Sequence, residues 1–129
     1  MHEEVRSDLS SITGTVVDAG LKVHQALGPG LLESAYEQCL LHELHTRGMA
    51  AERQVSLPII YDGARIDAGY RIDLLVNGAI IVEVKAVEAL KPIHQAQLLT
   101  YLKLSGCRIG LLMNFHVVLF KQGLKRLVL

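Results

Sequence analysis

The chain has 129 residues, half of them apolar, and its 13 basic residues balance 13 acidic ones. This length predicts one domain, residues 1–129, with a single hydrophobic core, and the apolar content argues against extended disorder. A net charge of zero argues against a protein that binds nucleic acid through overall positive charge, although it leaves room for a local basic groove.

Membrane association and secretion are not expected. No apolar run approaches the roughly 20 residues that cross a bilayer, and the start of the chain, MHEEVRSDLSS, lacks the apolar segment of a signal peptide. Cys39 and Cys107 lie in separate apolar segments without a metal-ligand spacing. We expect both to be buried free thiols of a cytoplasmic protein.

Two amphipathic helices are predicted first. Apolar residues recur at helical spacing within residues 11–27, after serines that can cap the helix. Gly28-Pro29-Gly30 interrupts the chain. A second helix carries an apolar stripe that includes Tyr36, which we therefore expect in the core, and it ends at Gly48.

Strands and one further helix follow. Residues 54–61 alternate as in a strand, with Pro58 indicating an edge position, and Asp62-Gly63 forms a turn. A hairpin of residues 70–76 and 79–84 is predicted around Asn77-Gly78. The remaining predictions are a helix from Pro92 to about Ser105 and strands at residues 107–115, 117–120 and 124–129. The predicted order is α-α-β-β-β-α-β-β.

The segment IIVEVKAV, residues 80–87, places Glu83 and Lys85 inside an apolar strand. Continuous apolar runs, here residues 74–76 and 80–82, are typical of strands that are covered on both faces. Glu83 and Lys85 are two apart and so share one face of the strand. An unpaired charge buried there would cost roughly several kcal/mol or lose its ionisation, so these side chains need a partner.

Whether Asp73 is that partner depends on the hairpin. A two-residue turn at Asn77-Gly78 puts Asp73 on the opposite face from Glu83. A three-residue loop that pairs Leu75 with Ala79 puts Asp73 diagonally beside Glu83, at roughly 7–8 Å between Cα atoms.

With the second register, two carboxylates and an ammonium group converge. Oxygen ligands from Asp73 and Glu83 suit Mg²⁺ or Mn²⁺, which stabilise charge on a phosphate and lower the pKa of an attacking water. Lys85 would orient that water or neutralise the developing charge. The alternative is a purely structural ion-pair cluster on a wetted face.

Several motifs resemble a known family. Asp73 followed by Glu83-Val84-Lys85 on the next strand resembles the motif of the PD-(D/E)xK nuclease superfamily, although Ile72 stands where the name has proline. Residues 30–36, GLLESAY, resemble the motif of its GxxExxY branch. The resemblance extends through LGPGLLESAYE, IDLLVNGAIIVEVKAV, HQAQLLTYLK and GLLMNF, and four motifs in this order are a specific signal.

The resemblance implies an α/β fold with a restriction-endonuclease-like αβββαβ core, in which helices flank a mixed central sheet. It implies that Asp73, Glu83 and Glu33 are metal ligands and that Lys85 is the catalytic lysine. Apart from the resemblance, the negative charge of Glu33 would be favourable in the first turn of a helix because of the helix dipole, whatever the function of the residue.

Other polar residues are open to two interpretations. Gln97 and Tyr101 match the QxxxY motif of an exonuclease-related branch, but residues four apart on a helix can equally form a hydrogen-bonded pair at the helix–sheet interface. His24 and His94 are expected to be interface residues rather than ligands. Scattered solvated cations, rather than a surface that binds a nucleic-acid backbone, are expected at Lys91, Lys103, Lys121, Lys125 and Arg126.

These features predict a nuclease that hydrolyses nucleic-acid phosphodiester bonds, with DNA favoured over RNA as substrate and Mg²⁺ or Mn²⁺ as cofactor. So small a core leaves specificity to a homodimer or a protein partner. The alternative is a non-catalytic binding module that keeps the nuclease fold. Neutral charge favours this module, whereas the intact Asp73, Glu83 and Lys85 argue against it.

Overall fold

The computed structural model describes residues 2–129, with side chains from Asp8 onward. The elements run in the order α1 (His2–Leu27), α2 (Glu33–Thr46), β1 (Ala51–Ser56), β2 (Ile59–Tyr61), β3 (Ala64–Ile66), β4 (Arg71–Val76), β5 (Ile80–Lys85), α3 (Pro92–Ser105), β6 (Ile109–Asn114), a 3₁₀ helix (Phe120–Gly123) and β7 (Leu124–Val128). Helix α3 has the predicted bounds, because Pro92 suits a first helical turn and Gly106 ends the helix at a φ of 78°.

Five strands form one mixed sheet in the order β1-β4-β5-β6-β7. Strands β5 and β6 are parallel and the other neighbours are antiparallel. Helices α1 and α2 cover one face, where Val82 and Leu111 are fully buried, and α3 covers the other, over Ile81 and Leu112. The central strand β5 is therefore covered on both faces, as its apolar run predicts. The predicted α/β fold with a mixed sheet flanked by helices is confirmed.

The predicted strand at residues 54–61 is wrong in extent. The chain leaves the main sheet at Leu57 and Pro58, and β2 and β3 form a separate two-stranded sheet around the predicted Asp62-Gly63 turn. Pro58 has no N–H with which to continue a ladder. Instead the Leu57 N–H donates to the Tyr70 carbonyl at 2.9 Å and closes the base of this hairpin. Strand β1 does lie at the sheet edge, which is the position that Pro58 indicates.

The predicted strand at residues 117–120 is also wrong. Strand β6 is already paired on both sides, with β5 and with β7, so this segment has no strand beside it to join. It forms a loop that exposes Val118 and leads into the 3₁₀ helix. The loop is fixed where the Val117 carbonyl oxygen lies 2.8 Å from Nε2 of His24.

The two cysteines are free thiols, but they are not buried. Cys39 is exposed and Cys107 is only partly covered. Cys39 lines an open groove between α1 and α2, together with Val23 and Ala26. Within residues 2–129, no helix combines the length and apolar character needed to cross a bilayer.

Gly123 allows the 3₁₀ helix to approach the end of β6. A Cβ atom at this position would overlap the carbonyl oxygen of Asn114. The Asn114 side chain in turn bonds both the N–H and the carbonyl group of Val87, at 3.0 and 2.8 Å. We therefore expect Gly123→Ala to lower the free energy of unfolding by at least about 2 kcal/mol in urea denaturation.

Gly14→Ala is the matched control. Gly14 is exposed on α1, and an added methyl group would meet no neighbouring atom within 4 Å. This variant should gain ~0.5–1 kcal/mol through helix propensity alone. Wild-type stability in Gly123→Ala would contradict the close approach.

Candidate active site

The hairpin between β4 and β5 brings Asp73 to Glu83. Its pairs are Leu74–Val82, Leu75–Ile81 and Val76–Ile80, which leaves a three-residue loop at residues 77–79. Continued by one residue, this register sets Asp73 directly opposite Glu83. Side chains directly opposite each other lie on the same face of a sheet, so the two carboxyl groups meet.

The loop lies one position further along the chain than predicted, because Val76 pairs with Ile80 where the prediction paired Leu75 with Ala79. Asn77 accounts for the difference. Its N–H donates to the Ala50 carbonyl and its Oδ1 accepts the Ala50 N–H, both at 2.7 Å. A tertiary contact with the segment before β1 thus fixes the register.

Glu83 is a buried acid whose hydrogen bonding is incomplete. It is only 4% exposed, and its Oε1 atom has no hydrogen-bond partner among the described residues. Burial raises the pKa of Glu83 to about 10, and the neighbouring Asp73 carboxylate acts in the same direction, while the Lys85 charge opposes them more weakly. Glu83 therefore keeps its proton at neutral pH unless a cation compensates its charge.

Two hydrogen-bond donors hold the Asp73 carboxylate, which reaches from β4 to the backbone of β5. Its Oδ2 accepts the Val84 N–H at 2.8 Å, and its Oδ1 lies 3.4 Å from Nε2 of Gln54. A hydrogen bond to a charged group contributes about 1.5–3 kcal/mol. The carboxylate is thus oriented by a strand backbone rather than by a flexible side chain alone.

Glu37 and Gln54 complete the surroundings of Asp73, and neither was predicted as a site residue from the sequence. Nε2 of Gln54 also donates to Oε1 of Glu37 at 2.7 Å, and Nε of Arg53 lies 3.2 Å from the same oxygen. Glu37 is 5% exposed, and burial raises its pKa despite the Gln54 hydrogen bond. Gln54 has a φ of 54° inside β1, a conformation that costs about 1–3 kcal/mol and persists only when surrounding contacts hold it.

A sequence signal existed for one of these two residues. Glu37 is four positions after Glu33, so both carboxylates lie on one face of α2. Gln54 carries no such signal, because its proximity to Asp73 depends on the pairing of β1 with β4.

Tyr36 fixes the start of α2. It is fully buried, as expected, and its ring stacks on Phe115 with centroids 4.6 Å apart. Its hydroxyl donates to the Gly28 carbonyl and accepts the Leu31 N–H at 3.1 Å. These contacts tie down the loop before α2 and so determine where its first residue lies.

Glu33, the first residue of α2, lies at the outer edge of the site that contains the carboxyl groups of Asp73 and Glu83. It is exposed, and its Oε2 lies 3.4 Å from the Ala86 N–H, just after β5. In the described part of the chain, no three His, Cys, Asp or Glu side chains come close enough to hold a metal ion together. The structure therefore brings Asp73 and Glu83 together as a pair and leaves Glu33 beside them.

Helix α3 places Tyr101 near Glu83. Nε2 of Gln97 donates to the Tyr101 hydroxyl at 3.1 Å, which makes the hydrogen-bonded pair at the helix–sheet interface. Tyr101 is 6% exposed, and its pKa is raised by burial and, next, by the charge of Glu83. The two interpretations of Gln97 and Tyr101 are thus compatible, because the interface pair lies beside the carboxylates.

The histidines have structural partners. His24 is buried against the Val117 carbonyl, and Nδ1 of His94 accepts the Lys91 N–H at 3.0 Å at the start of α3. Both are contacts within the fold, as expected for interface residues. The cations are exposed on α3, the 3₁₀ helix and β7: Lys91, Lys103, Lys121, Lys125 and Arg126.

The oxygen atoms of the carboxylate pair suit a hard divalent cation. Mg²⁺ is commonly bound by one or two carboxylates and keeps several water ligands. Asp73 and Glu83 supply two carboxylates, and the described side chains and backbone offer Oε1 of Glu83 no hydrogen-bond partner. A cation there would also supply the charge that burial of Glu83 requires. Lys85, partly buried on the same face of β5, adds a positive group for an anionic ligand.

Comparison with known families agrees with this arrangement. The family model of the PD-(D/E)XK nuclease superfamily matches residues 10–127. The chain therefore belongs to this nuclease superfamily, and its mixed sheet flanked by helices is the restriction-endonuclease-like fold. No curated protein and no solved structure matches the chain.

The raised pKa of Glu83 predicts a pH-dependent stability. The folded-state pKa lies above the ordinary value of 4.5, so the folded protein binds the extra proton and loses stability as pH rises between the two values. The loss is at most about 1.4 kcal/mol per pH unit. In urea denaturation with a chelator, from about pH 5.5 to about pH 8.5, Glu83→Gln should show a smaller decline than wild type.

Glu88→Gln is the matched control for this measurement. Glu88 is exposed just after β5, so its removal should leave the wild-type slope. Equal slopes for wild type and Glu83→Gln would show that Glu83 ionises freely in the folded protein.

Proposed function

We propose that this member of the nuclease superfamily is a metal-dependent enzyme that hydrolyses phosphodiester bonds in nucleic acid. The observation that carries the proposal is the buried Glu83 carboxyl group, which lies beside Asp73 and whose Oε1 has no hydrogen-bond partner among residues 8–129. A structural ion-pair cluster would be expected to satisfy that atom, and strongly shifted groups of this kind are concentrated at functional sites.

Asp73 and Glu83 would hold Mg²⁺ or Mn²⁺ through their carboxylate oxygens. When bound, such a cation neutralises charge on a phosphate and lowers the pKa of a water molecule beside it. The Val84 N–H keeps Asp73 oriented for this role. Glu33, at the rim near Ala86, would add a further carboxylate to the metal surroundings.

Lys85 would act on the substrate. It shares a face of β5 with Glu83, so its ammonium group would orient the attacking water or stabilise charge that develops on the phosphate oxygens. Gln97 donates to the Tyr101 hydroxyl, which leaves that hydroxyl's own proton available for a phosphate oxygen. These roles agree with the motifs that the sequence shares with the superfamily.

The finer assignment rests on local features. Membership of the GxxExxY branch is supported by the GLLESAY segment, in which Tyr36 anchors the loop and Glu33 begins the helix. Free cysteines support a cytoplasmic location. The two buried clusters lie on opposite faces of one sheet, which supports one domain at residues 1–129. We favour DNA as substrate, and a homodimer or a protein partner would supply specificity.

Calorimetric titration with Mg²⁺ and Mn²⁺ tests the metal site. Wild type should bind the cation, and Asp73→Asn should lose at least about 10-fold in affinity, because one of two charged ligands is removed. Asp18→Asn is the matched control, since Asp18 is exposed on α1 and should bind as wild type does.

A cleavage assay tests the chemistry. Lys85→Ala should lose at least about 100-fold in cleavage of single- or double-stranded substrates while metal affinity persists, because it removes an electrostatic stabiliser rather than a ligand. Absence of metal binding by folded wild type in the presence of nucleic acid would refute the catalytic proposal. The non-catalytic binding module would then account for the fold.

Gln54 provides a test of the support around Asp73. Gln54→Gly removes the amide that bridges Asp73 and Glu37 but suits the φ of 54°. We expect about 10-fold weaker Mn²⁺ binding, as for other residues that orient a ligand, with thermal stability preserved. Gln25 is exposed on α1, so Gln25→Gly should show the reverse result, namely wild-type metal affinity and lower thermal stability. Unchanged Mn²⁺ affinity in Gln54→Gly would remove Gln54 from the site.

A further inference from the structure

Several exposed apolar side chains lie on the β2–β3 hairpin, just before β4 and at the start of α3. The exposed fractions are 62% for Ile60, 70% for Tyr61, 44% for Tyr70 and 68% for Ile93. A two-stranded hairpin has little stability of its own, and clustered exposed apolar groups are characteristic of binding surfaces. This part of the molecule therefore needs an explanation beyond packing.

A groove of about 380 Å³ separates the hairpin from α3. Ile59 and Tyr70 line one wall, and Ile93, Gln97 and Tyr101 line the other. Tyr101 belongs to the same buried cluster as Ile81, and Ile81 lies on the face of β5 that also carries Glu83. The Tyr101 end of the groove therefore lies on the same face of the sheet as the carboxylate pair.

The inner end of the groove is aromatic and held in place. The rings of Tyr70 and Tyr101 meet edge to face, with centroids 6.3 Å apart and planes at 63°. The Tyr70 carbonyl accepts the Leu57 N–H at 2.9 Å, which fixes the backbone under the ring. Tyr101 is buried, so Tyr70 is the ring that is accessible to a ligand.

The charges around the groove suit an anionic ligand. Of the described residues that line it, none is acidic. Lys91 and Arg71 are exposed on the elements that flank the groove, just before α3 and at the start of β4, whereas the exposed Arg65 of β3 is paired with Asp67 at 3.5 Å. An apolar aromatic slot between cations matches a base attached to a phosphate backbone better than it matches an apolar peptide.

We propose that this groove takes an unpaired base next to the cleaved phosphate, so that the enzyme acts on single-stranded or frayed nucleic acid. The inference rests on the proposed nuclease function and names its substrate class. Bases in a duplex are stacked on their neighbours and cannot reach Tyr70, whereas an unpaired base can stack on its ring between Ile59 and Ile93. The Gln97–Tyr101 pair lies between this base and the carboxylates.

Binding of fluorescent oligonucleotides tests the proposal without cleavage. Affinities for single strands and duplexes are measured in a chelator, and again with Mg²⁺ on the Lys85→Ala background. Tyr70→Ala should weaken single-strand binding by about 5- to 150-fold, the usual effect of losing one stacked base. Tyr70→Phe keeps the ring and should bind as wild type does. A 2-aminopurine base in the strand should be quenched by wild type and not by Tyr70→Ala.

Tyr61→Ala is the matched control, since Tyr61 is exposed on the same hairpin but lies outside the groove lining. Equal single-strand affinity for wild type and Tyr70→Ala, or no single-strand binding under either condition, would overturn the proposal. So would a dimer that dissociates on Tyr70→Ala with nucleic-acid binding unchanged, because the groove would then be a protein interface.

The two proposals fail in different ways. Duplex cleavage by wild type that Tyr70→Ala leaves intact, with no preference for single strands, would retain the nuclease and reject the base-binding groove. Single-strand binding that depends on Tyr70, without metal-dependent cleavage, would reject hydrolysis and retain the groove as a binding surface.

Discussion

The carboxyl groups of Asp73 on β4 and Glu83 on β5 lie side by side, and the charge on one opposes ionisation of the other. Their surroundings differ. Asp73 accepts the Val84 N–H and lies against the Gln54 amide, whereas no described residue donates a hydrogen bond to Oε1 of Glu83. Because Glu83 is buried, its charge is favourable only with a compensating cation nearby. The proposed metal site rests on this asymmetry.

The remaining architecture holds that pair in place. Strand β5 is the middle of the sheet and is covered on both faces, so Glu83 has little freedom to move towards solvent. Helix α2 contributes Glu37 from one direction, and α3 contributes Tyr101 from another. A close-packed core allows such a high-energy arrangement to persist, because relaxation of one group would disturb several neighbours.

Helices α2 and α3 and the central strands were predictable from the sequence, because each has a local signal, whereas α1 begins at His2, well before its predicted start at residue 11. Pro92 and Gly106 bound α3, and unbroken apolar runs identify the covered strands. The short outer elements were not predictable in the same way. The segment at residues 117–120 has the composition of a strand, but β6 has no free edge beside it. The chain leaves the sheet at Leu57-Pro58 to form the β2–β3 hairpin, although the alternating pattern of apolar residues continues through these two positions.

By itself, the sequence determined which residues are the candidates for the chemistry, since Asp73, Glu83 and Lys85 are charged residues in otherwise apolar strands. It could not determine how they meet. The hairpin register depends on the bond between Asn77 and Ala50, and Gln54 reaches Asp73 only when β1 pairs with β4. These contacts join positions far apart in the chain, and their geometry exists only after the sheet has formed. Residue types and spacing are local properties, whereas distances across a sheet are decided by tertiary structure.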